Sequence, residues 1–187
     1  MGGGNPGRKF AAAAPTRIFP TMKTLRLALL FIPLLALVAA STLRAEPVPS
    51  APAPAWTLKD VEGKAVSMAQ FKGKVVVVDF WATWCPPCRA EIPGYIKLQE
   101  KYGKDGLVIV GISLDQKGPA VVKKFIADQK VNYTMVMADE EVVAAFGGME
   151  AIPTTFLIDR AGNIRDRKVG AVSAEEYEKT VLAVLKK

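Results

Sequence analysis

The sequence predicts an α/β fold, a central mixed sheet covered by helices on both faces. Three observations carry this. The run Val75–Phe80 is β-branched or apolar at every position but Asp79, as a strand covered on both sides must be. Helical stretches opened by Pro86, by Pro119 and by the capping box Ser173-Ala174-Glu175-Glu176 alternate with further short β-branched runs, which implies a mostly parallel sheet. Near the C-terminus, two runs flank the turn Arg160-Ala161-Gly162-Asn163 and supply an antiparallel edge.

The elements follow in order. Trp56–Asp60 alternates apolar and polar residues, Glu62-Gly63-Lys64 reads as a turn, and Ala65–Met68 returns as a second short strand. After Phe71-Lys72-Gly73-Lys74 comes the central strand at Val75. Pro86 occupies the first position of a helix that runs through Tyr102, with Pro93 as an expected kink and Gly103 and Gly106 at its end. Leu107–Ser113 is a second buried strand. Pro119 starts a helix whose apolar face is Val121, Val122, Phe125 and Ile126. Tyr133–Met137 is a third strand and Glu140–Phe146 a short helix. Thr155–Asp159 and Ile164–Val169 form the hairpin, and the last helix reaches Leu185.

The 187 residues suffice for one domain and an appendage. The net charge of +7 belongs to the appendage. Residues 1–45 contain Arg8, Lys9, Arg17, Lys23, Arg26 and Arg44 and no acid, whereas the rest balances 19 bases against 18 acids. Nucleic-acid binding by the folded part is therefore unsupported. Lys23 and Arg26 precede 17 uncharged, mainly apolar residues, Leu27 to Leu43, the layout of an export signal. Residues 1–45 are thus an export signal or a membrane anchor through residues 25–43, with Met1 or Met22 as its start. Residues 46–55 are a Pro/Ala linker, and residues 56–187 are the folded domain.

Cys85 and Cys88 are the only cysteines, and they stand in Trp-Cys-Pro-Pro-Cys between a strand and a helix. Two sulfurs so spaced can close a small disulfide and reopen it. The spacing puts Cys85 near the helix N-cap, where free N–H groups and the macrodipole stabilise a thiolate. Cys85 is expected to be exposed and nucleophilic, and Cys88, one turn inside, to be shielded and to resolve the mixed disulfide. Pro86 and Pro87 stiffen the loop and remove two donors near the sulfurs. No histidine is present, so a zinc site, which needs four ligands, has only two sulfurs to draw on. An inert buried pair is the remaining alternative.

The segment Val-Asp-Phe-Trp-Ala-Thr-Trp-Cys-Pro-Pro-Cys-Arg-Ala-Glu at 78–91 resembles the active-site stretch of the thioredoxin superfamily, and most of all its ResA/TlpA-like membrane-associated thiol–disulfide oxidoreductases. Gly111-Ile112-Ser113-Leu114-Asp115 and Ile152-Pro153-Thr154-Thr155-Phe156-Leu157-Ile158-Asp159 are similar to two further segments of that branch. The resemblance implies a thioredoxin-like fold with an N-terminal β-hairpin and a central helix–strand insertion at 117–137. It implies a cis peptide bond before Pro153, with Ile152 offering its backbone to an extended substrate. Trp81 and Trp84 would flank the disulfide, with Trp84, Pro86, Pro87, Ile152 and Pro153 as the docking surface.

Asp79 interrupts an apolar strand, and burying an unpaired carboxylate is costly enough that such a group tends to be neutral, paired or functional. It matches the buried aspartate of thioredoxin, which exchanges a proton with the resolving cysteine. Glu91 lies three residues after Cys88 on the same helical face and matches a glutamate of the ResA-like branch. Ordinary alternatives are a tie to the backbone or a lysine for Asp79, and a solvated helix charge for Glu91.

The expected activity is reduction of protein disulfides by dithiol exchange, with no cofactor beyond the redox-active disulfide Cys85–Cys88. A carboxylate near sulfur raises thiol pKa values, which fits an electron donor better than a strong oxidant, and the absence of histidine between the cysteines agrees. The resemblance implies disulfide-containing clients such as apocytochrome c, a membrane thiol reductant as electron source, and a place in the periplasm or on the extracytoplasmic face of the bacterial inner membrane. Cytochrome c biogenesis and cell redox homeostasis are the matching roles. Two other readings are a thiol peroxidase of related fold, against which the Pro-x-x-x-Thr-x-x-Cys pattern is missing, and a copper-binding chaperone, against which the lack of histidine counts.

Overall fold

The computed structural model describes residues 51–186. The export signal or anchor and the first part of the linker lie outside the described residues. Among the described residues no helix is long and apolar enough to cross a membrane.

The chain forms β1 (Thr57–Lys59), β2 (Ala65–Ser67), a 3-10 turn (Met68–Phe71), β3 (Val75–Trp81), α1 (Pro86–Tyr102), β4 (Leu107–Ser113), α2 (Pro119–Gln129), β5 (Thr134–Met137), α3 (Glu140–Ala145), β6 (Thr154–Ile158), β7 (Ile164–Val169) and α4 (Ala174–Leu185). The main sheet has the order β5-β4-β3-β6-β7, and β1 and β2 form a separate hairpin. The last linker residues run beside the sheet: the Ile164 N–H donates to Ala51 O (2.8 Å) and the Ala53 N–H to Gly162 O (2.9 Å).

The sheet is evenly mixed where the sequence suggests mostly parallel pairing. β3 is parallel to β4, and β4 to β5, but β6 is antiparallel to both β3 and β7. The cause lies in α3. A parallel β6 would require the chain to travel back the full length of the sheet after β5. The six residues of α3 rise only about 9 Å. The chain stays near the end it has reached and re-enters the sheet from there. The start of β6, beside Phe80, is thereby delivered to the same end as the cysteines.

Every residue of β3 is buried, and its side chains alternate between two cores. Val76, Val78 and Phe80 pack with Trp56, Leu58 and Val66 of the hairpin region and with Val142 and Phe146 at α3. Val75 and Val77 pack with Tyr95 and Leu98 of α1 and with Tyr177, Val181 and Leu185 of α4. Each such valine contributes roughly 1.5–3 kcal/mol by leaving water. At the active end of this second face, α2 adds Val122 to Trp81, Ile92, Met135 and the two cysteines. Trp81 is fully buried and lies 5.1 Å from Phe125, centroid to centroid.

Gly111 makes room for this arrangement. A Cβ there would sit 2.3 Å from Met135 Sδ and 3.0 Å from Trp81 Nε1, inside van der Waals contact. Gly111→Ala is therefore expected to destabilise the fold by about 1–3 kcal/mol, read as a lower denaturation midpoint at unchanged m-value. An unchanged midpoint would show that Met135 and Trp81 repack freely.

Candidate active site

Cys85 is the N-cap of α1 and Pro86 its first residue. The Cys88 N–H donates to Cys85 Sγ at 3.3 Å, so the sulfur occupies the position of a capping side-chain oxygen. The two sulfurs are joined in a disulfide. The expected contrast in exposure is small in this closed form, with Cys85 3% and Cys88 0% exposed. Ile152 and Trp81 share the apolar cluster of both sulfurs. What projects instead is Trp84, 65% exposed, along with Pro86 and Pro87. Trp84 is thus a surface side chain and Trp81 a core one.

The Ile152–Pro153 bond is cis, and Ile152 O lies 3.7 Å from Cys85 Sγ. The Gly170 N–H donates to Pro153 O at 2.8 Å, which ties this turn to the end of β7. Ile152 is half-buried and Pro153 buried.

Sequence reasoning missed the support beneath the loop that carries Cys85. Asp115 is 7% exposed and accepts from the Thr83 N–H (2.9 Å), from Thr83 Oγ1 (2.5 Å) and from Ser113 Oγ (2.8 Å). It pins Thr83, two residues before Cys85, to the end of β4. The signal present in the sequence is a polar pair, Ser113 and Asp115, at the mouth of an apolar strand.

The carboxylates lie on the α1–α4 face. Gly111, Asp79, Thr155 and Lys168 are register partners across β4, β3, β6 and β7 and so project to one side. Asp79 is 2% exposed. Thr155 Oγ1 donates to Asp79 Oδ1 at 3.1 Å and is itself 3.2 Å from the Tyr95 hydroxyl. Burial above all, and then the Glu91 charge, push Asp79 from the ordinary 3.8 up to about 7; the Thr155 bond and Lys168 hold it back. Glu91 is no solvated charge: its Oε1 accepts from Lys168 Nζ (2.5 Å) and the Val172 N–H (3.0 Å). Burial likewise raises the hydroxyls of Tyr95, Tyr133 and Tyr177 well above their usual range. The site therefore combines a disulfide, a buried acid that titrates near neutrality, and a buried Lys168–Glu91 ion pair.

The chain matches the AhpC/TSA family over residues 49–167. It is 32% identical over 126 residues to the thiol-disulfide oxidoreductase ResA of Bacillus thuringiensis (strain Al Hakam), covering 67% of this chain and 72% of that protein. It is 30% identical over 162 residues to sporulation thiol-disulfide oxidoreductase A of Bacillus subtilis (strain 168), covering 84% and 97%. A crystal structure of a thioredoxin-family thiol:disulfide interchange protein from Chlorobium tepidum TLS superposes with a TM-score of 0.68 at 37% identity, over 75% of this chain and 99% of that one.

The raised Asp79 acid has a stability consequence. The folded state holds this proton more tightly than the unfolded chain, so the ionised form opposes folding. The penalty is absent below pH 3.8, grows as pH rises, and is complete above about pH 7, with a ceiling of about 4 kcal/mol. Asp79→Asn should therefore gain stability over the parent at pH 8 and lose that advantage at pH 4. Urea unfolding at the two pH values measures it; an equal difference at both would mean that Asp79 titrates normally.

Proposed function

We propose that this chain, which belongs to the AhpC/TSA family of thioredoxin-like proteins and is a thiol–disulfide oxidoreductase, works as an exported reductant of protein disulfides. The observation that most supports the direction is Asp79, a buried carboxyl raised to about 7 and so partly ionised at neutral pH. In its ionised form such a group disfavours extra negative charge on nearby sulfur and favours thiols that give electrons away.

In the reduced protein, the Cys85 thiolate attacks one sulfur of a client disulfide. A mixed disulfide forms and the first client thiolate leaves. Asp79, ionised, takes the proton from Cys88. The Cys88 thiolate then attacks Cys85 Sγ, closing the intramolecular disulfide and releasing the second client thiolate. Two electrons pass to the client, which takes up two protons. A dithiol donor later reopens Cys85–Cys88 by the same exchange in reverse. Trp84, Pro86, Pro87 and Ile152 form the face against which an extended client segment lies, with the Ile152 backbone next to Cys85 Sγ.

The basic and then apolar leader, residues 23–43, supports export to the periplasm or retention on the outer face of the inner membrane. There the electron source is a membrane thiol reductant, and the clients include cysteine pairs such as those of apocytochrome c before haem attachment.

Cys85→Ser is expected to abolish reduction of a model disulfide, while Cys88→Ser accumulates a client adduct seen by non-reducing electrophoresis and identified by mass. Full turnover by Cys88→Ser would overturn the assigned roles. The reduction potential should fall nearer about −270 mV than about −120 mV, the reducing and oxidising ends for this fold; a value at the oxidising end would reverse the direction.

A further inference from the structure

Two carboxylates under one cysteine pair pose a problem that either alone would not. Both are buried, and the Glu91 charge resists ionisation of Asp79. The Lys168–Glu91 ion pair addresses it. Lys168 Nζ lies 2.5 Å from Glu91 Oε1, and both side chains are at least nine-tenths buried, at 10% and 7% exposed. The ammonium also stands 5.0 Å above the Tyr177 ring.

The surroundings of Lys168 are defined on every side. Glu91 reaches it from α1 and Tyr177 from α4, and Tyr95 of α1 packs against Tyr177. Thr155 is its register partner on β6, with Asp79 next in the row on β3. Asp166 shares its side of β7, and Tyr133 before β5 is in edge contact with Tyr95. Glu91 is the group it bonds. Asp79 takes its hydrogen bond from Thr155 instead.

We propose that Lys168 is a positioning residue for the redox reaction: by holding Glu91 in a fixed ion pair, it leaves Asp79 as the one carboxyl that trades a proton with Cys88. The division of labour follows from contacts. Glu91 has one oxygen committed to Lys168 and to the Val172 N–H, so the carboxylate is held in place and its charge partly offset. Asp79 has a single hydroxyl partner, which can serve the protonated or the ionised form. Lys168 also lowers the barrier to ionising Asp79, so the acid can act as a base when the resolving step needs one. This inference rests on the proton-exchange role proposed for Asp79.

The test is the titration of Asp79 in the full chain, followed by infrared difference spectroscopy with 13C-labelled aspartate and, separately, by the pH profile of mixed-disulfide resolution. Lys168→Met should move the Asp79 midpoint upward by about one pH unit and shift the rate profile with it, while Lys168→Arg keeps both near the parent. In Glu91→Gln, where no pair exists to neutralise, the Asp79 midpoint should fall, and adding Lys168→Met should bring it back toward the parent value. A Lys168→Met protein with reduced stability but an unmoved midpoint would give Lys168 a structural role alone and overturn the proposal. Should Lys168→Met fold poorly, the Glu91→Gln and Lys168→Arg midpoints decide the matter. The spectroscopic midpoint needs no client, so a shifted midpoint with an unchanged rate profile would refute the proton-exchange role of Asp79 and leave the Lys168 coupling standing.

Discussion

A carboxyl in the middle of a strand that is buried along its whole length constrains everything around it. Asp79 is flanked by Val78 and Phe80, both fully buried, and no water shell remains to stabilise its charge. The structure answers with one hydroxyl from β6, a tyrosine behind that hydroxyl, and a lysine two strands away that is engaged with another acid. These groups come from β6, β7 and α1. A sheet with β6 inserted between β3 and β7 brings Asp79, Thr155 and Lys168 into one row, and α1 covers it. The polar network and the mixed topology thus depend on each other.

The same topology assembles the sulfur chemistry. A strand ends, a helix begins, and Cys85 sits at the junction as the cap. The brevity of α3 returns the chain to that junction from the other side, bringing Ile152 and Pro153 beside it. Asp115 then holds the connecting loop from β4. Two segments thus meet at Cys85 Sγ, and a third fixes the loop that carries it.

Much of the fold was legible because periodicity reports burial. The β3 and β4 runs, the N1 prolines of α1 and α2, and the Ser173 cap each carry a local physical signal, and the boundaries agree within a residue or two. Strand direction was less legible, because the length of α3 decides it, and not the composition of the strands. The resemblance pointed to Asp79 and Glu91, but nothing in the string pairs Glu91 with Lys168, 77 residues away. Lys168 lies in Arg165-Asp166-Arg167-Lys168, a charged run that reads as an exposed strand until its register with Thr155 is known. Cys85 was expected at the surface because capping positions usually are; tertiary packing of Ile152 and Trp81 reverses that.

The complete enclosure of Cys88 has a kinetic corollary. No outside molecule can reach that sulfur, so electrons must both arrive and depart through its neighbour. Supplier and recipient therefore contend for a single doorway and cannot be attached together. Throughput must alternate, one visitor at a time, the supplier meeting the closed pair and the recipient the open one. Selection between visitors then falls to the protruding indole of Trp84 and the prolines beside it, which every caller meets before the sulfur.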